Sequence, residues 1–200
     1  LFKERLRDVL EYKNALLVHV LHEQPLEYNA ICDEYLGYAE RLRPFAADTV
    51  AMTYDDLRAG KRVVFEGAQG TMLDIDHGTF PYVTSSTTLS GGAYSGAGLG
   101  PKFVNGVIGI VKAYTTRVGE GPFPTELLDA TGEQLRQQGK EFGATTGRPR
   151  RCGWLDCVLL RRSAIVNGTT SVALTKPDVL GPVDTIRICT AYELNGKVTQ

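Results

Sequence analysis

A short β-branched run from Arg62 to Phe65 ends directly in Glu66-Gly67-Ala68-Gln69-Gly70-Thr71. A buried strand running into a glycine turn is where α/β proteins hold ligands, because the turn lies at the carboxyl edge of the sheet and glycine lets backbone approach closely. The rest of the chain fits that architecture. Apolar stripes predict a helix over 1–22 (Leu6, Leu10, Leu17, Leu21) and a second over 25–44 (Ile31, Tyr35, Tyr38, Leu42). A third runs from Thr53, its cap, to Ala59, with Gly60 just past its end. Strands over 62–65, 107–117 (or a helix as far as Ala113), 171–175 and 184–194 alternate with helices from Thr131 to Phe142 and from the capping Asp156 to Asn167-Gly168. Thr131 with Gln134 reads as a capping box. Residues 84–100 read as a long loop, Pro101 as the opening of a brief helix, and Asn195-Gly196 as a hairpin turn. The alternation makes the class α/β, with a helical subdomain over 1–60 and a sheet portion over 61–200.

Composition excludes several classes of function. Hydrophobic residues make up 42%, too many for a disordered tail. Lys and Arg number 22 against 23 Asp and Glu, so a sequence-independent coat for nucleic acid is not expected. The acidic surplus lies in residues 1–60, where seven basic residues face eleven acidic ones, and it reads as a solvated outer face. No apolar run approaches the ~18 residues of a membrane span. The four cysteines, at 32, 152, 157 and 189, have neither C-x-x-C nor zinc spacing. Free thiols in a reducing compartment, the cytoplasm, are the expectation. The chain opens at Leu1 inside a helical pattern and closes in a hairpin, so it reads as a piece of something longer.

Five segments carry candidate chemistry. Gln69 projects from a tight turn, and its amide offers a donor and an acceptor, as a purine edge requires; it equally suits a turn that ties itself down. Thr84, Ser85, Ser86, Thr87 and Thr88 are five hydroxyl residues in a row, suited to a phosphate or to a polar surface loop. Gly143 through Arg151 leads into a stretch, 148–162, with five arginines and one aspartate. Arginine forks recognise carboxylate or phosphate in two-point contacts; the alternative is a solvated basic loop paired with the acidic first sixty residues. Thr175-Lys176-Pro177-Asp178 follows a strand, where an [NT]-K-x-D element of GTP-binding proteins reads guanine. An Asp carboxylate accepts from ring N1–H and the exocyclic amine together, a pair of donors adenine lacks. Asp74, Asp76 and His77 resemble part of a metal cluster, but nothing completes one, so a hydrogen-bonded turn is the reading. His19 and His22 likewise lack partners. Gly96-Ala97-Gly98-Leu99-Gly100-Pro101 puts proline where a dinucleotide fingerprint needs glycine, and no G-x-x-x-x-G-K-[ST] occurs.

Phe65 to Thr71, Leu73 to Gly78, Pro81 to Ser86, Gly121 to Glu126, Gly143 to Asp156 and Leu174 to Leu180 occur in the order in which the adenylosuccinate synthetase family carries them. The resemblance spans the whole chain and about the middle half of the family's length. It implies a large, mostly parallel central sheet of the P-loop NTPase type, with helices on both faces and subdomains, here truncated at both ends. It also implies a GTP-dependent ligation of IMP and L-aspartate, in AMP biosynthesis, by a homodimer. GTP phosphorylates the purine 6-oxygen, and the aspartate amine displaces that phosphate. By the same resemblance Gln69 holds the IMP base near its 6-position and Thr84 holds its 5′-phosphate. Ala144, Thr145, Thr146, Gly147, Arg148, Pro149 and Arg150 form the aspartate loop. Within it Thr146 and Arg148 contact aspartate, Arg148 also reaches the IMP ribose, Arg150 lies between aspartate and GTP, and Lys176 and Asp178 read guanine. Two departures stand out: Thr87 where the family commonly has Asn, and Pro177 in place of a commoner Leu. The family's G-D-E-G-K-G-K loop, its catalytic Asp and His and its Mg2+ ligands are expected upstream of Leu1, so these 200 residues alone are expected to be inactive. The alternative is a noncatalytic nucleotide- or anion-binding module; an interaction domain using the acidic helices is a third reading.

Overall fold

The structure, a computed structural model, describes residues 1–144 and 147–199. The chain divides into two units, Leu1–Thr49 and Val50–Gln200. In the first, α1 (Phe2–Leu16) continues as a π turn, Leu17–Leu21, and stops at His22, which turns left-handed (φ 56°). The second helix, α2 (Tyr28–Leu42), runs on into a 3₁₀ turn at Arg43–Phe45. Asn14 closes the connection, donating to Leu26 O at 3.0 Å and accepting from Leu26 N at 2.8 Å. Leu10 and Cys32 are the residues these helices bury. Tyr35, Tyr38 and Leu42 of the expected inward stripe stay exposed. A helix with a single neighbour can cover one row of side chains, and that row runs through Cys32.

The second unit opens with α3 (Thr49–Arg58), so Thr53 lies inside the helix rather than at its cap. Gly60 follows with φ 75°. Residues 62–65, expected as a strand, join no ladder among the described residues; a β-branched run becomes a strand only where a partner accepts its hydrogen bonds. The loop over 84–100 contains a short helix, α4 (Gly92–Ala97), and Pro101 opens the expected 3₁₀ turn, Pro101–Phe103. Then come β1 (Ile108–Lys112), β2 (Thr115–Arg117), α5 (Ala130–Gly139), β3 (Arg151–Gly153), β4 (Leu155–Asp156), α6 (Cys157–Asn167), β5 (Ser171–Thr175), β6 (Ile188–Cys189), β7 (Tyr192–Leu194) and β8 (Lys197–Thr199).

Helices and parallel strands mix, as an α/β chain requires. Strands β1 and β5 pair in parallel from Ile108↔Ser171 to Lys112↔Thr175, so both end at the same edge. A second parallel pair joins β4 to β6, while β2–β3 and β7–β8 are antiparallel. The described residues thus carry four two-stranded sheets rather than one continuous sheet. The β7–β8 turn is Asn195-Gly196, both at positive φ, as a tight hairpin demands.

Caps fix where α5 and α6 begin. Asp129, not Thr131, caps α5, accepting from Thr131 N and Gly132 N. Asp156 caps α6 through Val158 N and Leu159 N, and Gly168 ends it at φ 60°. Ala113, Tyr114, Leu135, Cys152, Val179 and Leu180 form the core. It lies under the carboxyl ends of β1 and β5, since Ala113 and Tyr114 directly follow β1 and Val179 and Leu180 belong to the turn after β5.

Gly153 is part of that packing. A Cβ there would run into the Thr125 carbonyl, which itself accepts from Trp154 N at 3.0 Å, and would press the Phe123 ring at 2.8 Å. Backbone cannot swing aside as a side chain can. Gly153→Ala is therefore expected to lower stability by about 1–3 kcal/mol in urea unfolding. Gly67→Ala, with nothing within 4 Å of its added carbon, is expected to stay within about 0.5 kcal/mol.

Candidate active site

Gln69 occupies the left-handed region (φ 67°), an uncommon conformation for a residue with a Cβ. Its amide does not tie down its own turn. It reaches across to the hydroxyl loop, donating from Nε2 to Thr84 Oγ1 at 3.0 Å and accepting from Ser86 Oγ at 3.2 Å. The structure thus brings together Gln69 and Thr84. One N–H and one lone pair of the amide stay open to a ligand.

The hydroxyl loop is held from beneath by Asp74. That carboxylate is fully buried and accepts from Asp76 N (3.0 Å), His77 N (3.0 Å) and Thr88 N (2.8 Å). Burial alone would raise its pKa; the N–H donors of His77, Thr88 and Asp76 outweigh that and hold the carboxyl below its ordinary range. The Asp74-Asp76-His77 segment is the hydrogen-bonded turn its sequence suggested. Thr88 Oγ1 donates to Gly70 O at 2.8 Å, fastening the same loop to the turn that carries Gln69.

Of the arginine-rich segment, Thr145 and Thr146 lie outside the described residues. Ala144, Gly147, Arg148 and Pro149 are exposed. Gly143 N donates to Arg148 O and Gly147 N to Gly143 O, each at 2.8 Å, which closes the loop on itself. The arginines do not make one patch. Arg150 turns inward to Glu141, Arg151 pairs with Glu126, and Arg161 donates to Thr190 O. Neither Glu141 nor Glu126 belongs to the acidic first sixty residues.

Lys176 and Asp178 follow β5. Lys176 is left-handed (φ 56°), and Pro177 opens the 3₁₀ turn Pro177–Leu180, a position whose N–H has no partner within the turn. Val179 and Leu180 are pinned in the core, so exposed Asp178 is presented on a fixed turn.

Sequence reasoning missed Glu141. Its side chain is 0% exposed, yet three cations converge on it. Lys112 Nζ donates to both oxygens at 2.9 Å, Lys176 Nζ to Oε1 at 3.0 Å and Arg150 Nη1 to Oε2 at 2.8 Å. Tyr114 O–H adds a bond of 2.5 Å. Burial pushes the Glu141 pKa up, but these four donors outweigh it and hold the carboxyl at about 2. Burial, with the Glu141 charge behind it, raises the Tyr114 phenol, which stays neutral. Through Glu141 the predicted residues Arg150 and Lys176 come to one point, at the carboxyl end of β1–β5. A family-independent signal was absent, because the partners lie 29, 35 and 9 residues away in the chain.

A family model for adenylosuccinate synthetase matches residues 1–200. The chain belongs to the adenylosuccinate synthetase family. It is 57% identical over 197 residues to an adenylosuccinate synthetase of Clostridium botulinum and 58% identical over 196 residues to that of Geotalea daltonii; each match covers 98% of this chain and 46% of the relative. A solved structure described as fully ligated adenylosuccinate synthetase from Plasmodium falciparum superposes with a TM-score of 0.89 at 38% identity, over 100% of this chain and 46% of that one. The chain therefore spans about half the length of the adenylosuccinate synthetases it matches.

Proposed function

We propose that the protein catalyses the GTP-dependent joining of IMP and L-aspartate to adenylosuccinate, through 6-phosphoryl-IMP. The observation that carries this reading is the gathering of Arg150 and Lys176 on Glu141, with Asp178 alongside on the turn after β5, at the carboxyl end of a parallel strand pair. The roles follow from the chemistry of the groups. Gln69 holds the purine near its 6-oxygen, where negative charge develops on transfer, and Thr84 donates to the 5′-phosphate. Within the aspartate loop Thr146 and Arg148 meet aspartate, Arg148 also meets the ribose, and Arg150 lies between aspartate and GTP. Asp178 accepts the guanine donor pair, and the Lys176 stem lies along the base while its ammonium is held by Glu141 and Gly139 O. A carbonyl-type oxygen leaves poorly and phosphate leaves well, which is why a nucleotide is consumed.

Phosphoryl transfer from GTP calls for Mg2+. Among the described residues no three His, Cys, Asp or Glu side chains gather as a metal group, and the Asp74 oxygens are taken by backbone N–H donors. The described residues do not fit the ion. We assign the protein to the cytoplasm, as a homodimer; the four cysteines are free, and no described helix is long and apolar enough to cross a membrane.

The test is product formation by the full-length protein with Mg2+, GTP, IMP and aspartate, followed by chromatography. Omission of any one substrate is expected to abolish adenylosuccinate, and product formed without GTP would overturn the reading. In the same assay Arg148→Leu is expected to raise the KM for aspartate about 10–100-fold, the worth of a lost charge-assisted pair, while the KM for GTP stays within about 3-fold. An unaltered aspartate KM removes Arg148 from that role.

A further inference from the structure

Glu141 is not exposed and cannot meet a substrate, yet its two oxygens hold groups from two different loops. Oε2 accepts from Arg150, which ends the aspartate loop, and Oε1 accepts from Lys176, which opens the guanine turn. Backbone doubles both links. Arg150 N donates to Glu141 O at 2.9 Å, and Lys176 Nζ donates to Gly139 O, two residues before Glu141, at 2.5 Å. Lys112, the last residue of β1, bridges both oxygens and anchors the carboxylate to the sheet. The carboxylate itself has no alternative position, because Tyr114 and the three cations take up its lone pairs. Three positive charges on one negative charge also leave this cluster with a positive surplus, which suits anionic substrates. Arg150 Nε is buried and has no acceptor among the described residues, so Glu141 is its sole charged anchor there.

We propose that Glu141 is a positioning residue that sets the Arg150 fork and the Lys176 stem together, and so couples the aspartate site to the guanine site. This rests on the ligation reaction proposed above. One carboxylate holds a group from each loop, so removing its charge loosens both at once. Two of the IMP contacts, Gln69 and Thr84, are separate from it, since they and Ser86 hold one another; the third, Arg148, lies two residues before Arg150.

The test is steady-state kinetics on the full-length protein and its Glu141→Gln variant, with turnover corrected for folded enzyme. Glu141→Gln keeps the shape and removes the charge. It is expected to raise the KM for GTP and the KM for aspartate each by about 10–100-fold, with the KM for IMP within about 3-fold. Glu141→Asp restores the charge at a shorter reach and is expected to fall between parent and Glu141→Gln; if Glu141→Gln does not accumulate as folded protein, Glu141→Asp is judged by the same pattern. Gly153→Ala supplies the comparison for a purely structural loss, with all three KM values unmoved. Unmoved KM values in the Glu141 variants, a shift in one of GTP or aspartate alone, or an equal shift in all three overturns the positioning role. A parent that forms no adenylosuccinate overturns the reaction itself, and the role with it, so the two failures are told apart by the parent's own turnover.

Discussion

Glu141→Gln is expected to cost the folded protein about 3–5 kcal/mol, the range for removing one partner from a buried ionic cluster. The amide fills the same space but leaves Lys112, Lys176 and Arg150 facing one another without a counter-charge. Part of that strain has an outlet. Burial already lowers the Lys112 pKa, and Glu141 is the main influence holding it up, so removing Glu141 lowers it further and eases part of the loss. The same carboxylate sets an acid limit on stability. Its folded pKa is about 2 against an ordinary 4.5. Its contribution is complete above pH 4.5, where the unfolded chain is ionised too, and declines as the pH falls through 4.5 toward 2. Integrated over that window it amounts to on the order of 3 kcal/mol. Urea unfolding at neutral pH and near pH 3 is expected to show a steep acid loss in the parent and a shallower one in Glu141→Gln. Parallel acid losses would mean that Glu141 does not titrate in that window.

Asp178→Asn is expected to reverse the nucleotide preference. In the proposed role the carboxylate accepts from two guanine N–H groups, and an amide in its place sets its own N–H₂ against one of them, so GTP loses a charged contact and gains a donor–donor clash. The expected rise in the KM for GTP is about 100-fold or more. Xanthosine triphosphate carries a carbonyl where guanine has its amine and can accept from the new amide, so it is expected to become the better substrate. The turn itself should survive, because Val179 and Leu180 hold it from inside while Asp178 faces outward. If the two nucleotides keep their order, guanine is read elsewhere.

Much of this architecture was legible one segment at a time. The strand at 171–175, the helix from Asp156 to Gly168 and the turn at Asn195-Gly196 each depend on chemistry within a few residues, and each stands where the pattern put it. Local chemistry also misleads where two residues offer the same group. Asp129 and Thr131 both carry a side-chain oxygen at the head of α5, and the carboxylate takes the N–H groups. The run at 62–65 and the apolar face of α2 failed for another reason: whether such residues pair or bury depends on what lies beside them in space. The Glu141 cluster is the extreme of that kind. A lone glutamate between Lys140 and Phe142 carries no pattern, and its meaning comes from Lys112, which ends β1, and Lys176, which follows β5, brought together by the parallel pairing of those strands.

Asp74 divides labour within the hydroxyl loop. It grips the backbone N–H of Thr88, and the Thr88 hydroxyl grips Gly70 O, so the path of the loop is written in main-chain contacts at its far end. Thr84 and Ser86 then spend their hydroxyls on Gln69, and Thr87 can differ without bending that path. Shape is inherited from the anchor and chemistry from the rim, so the rim can drift toward a new ligand while the anchor keeps the loop foldable.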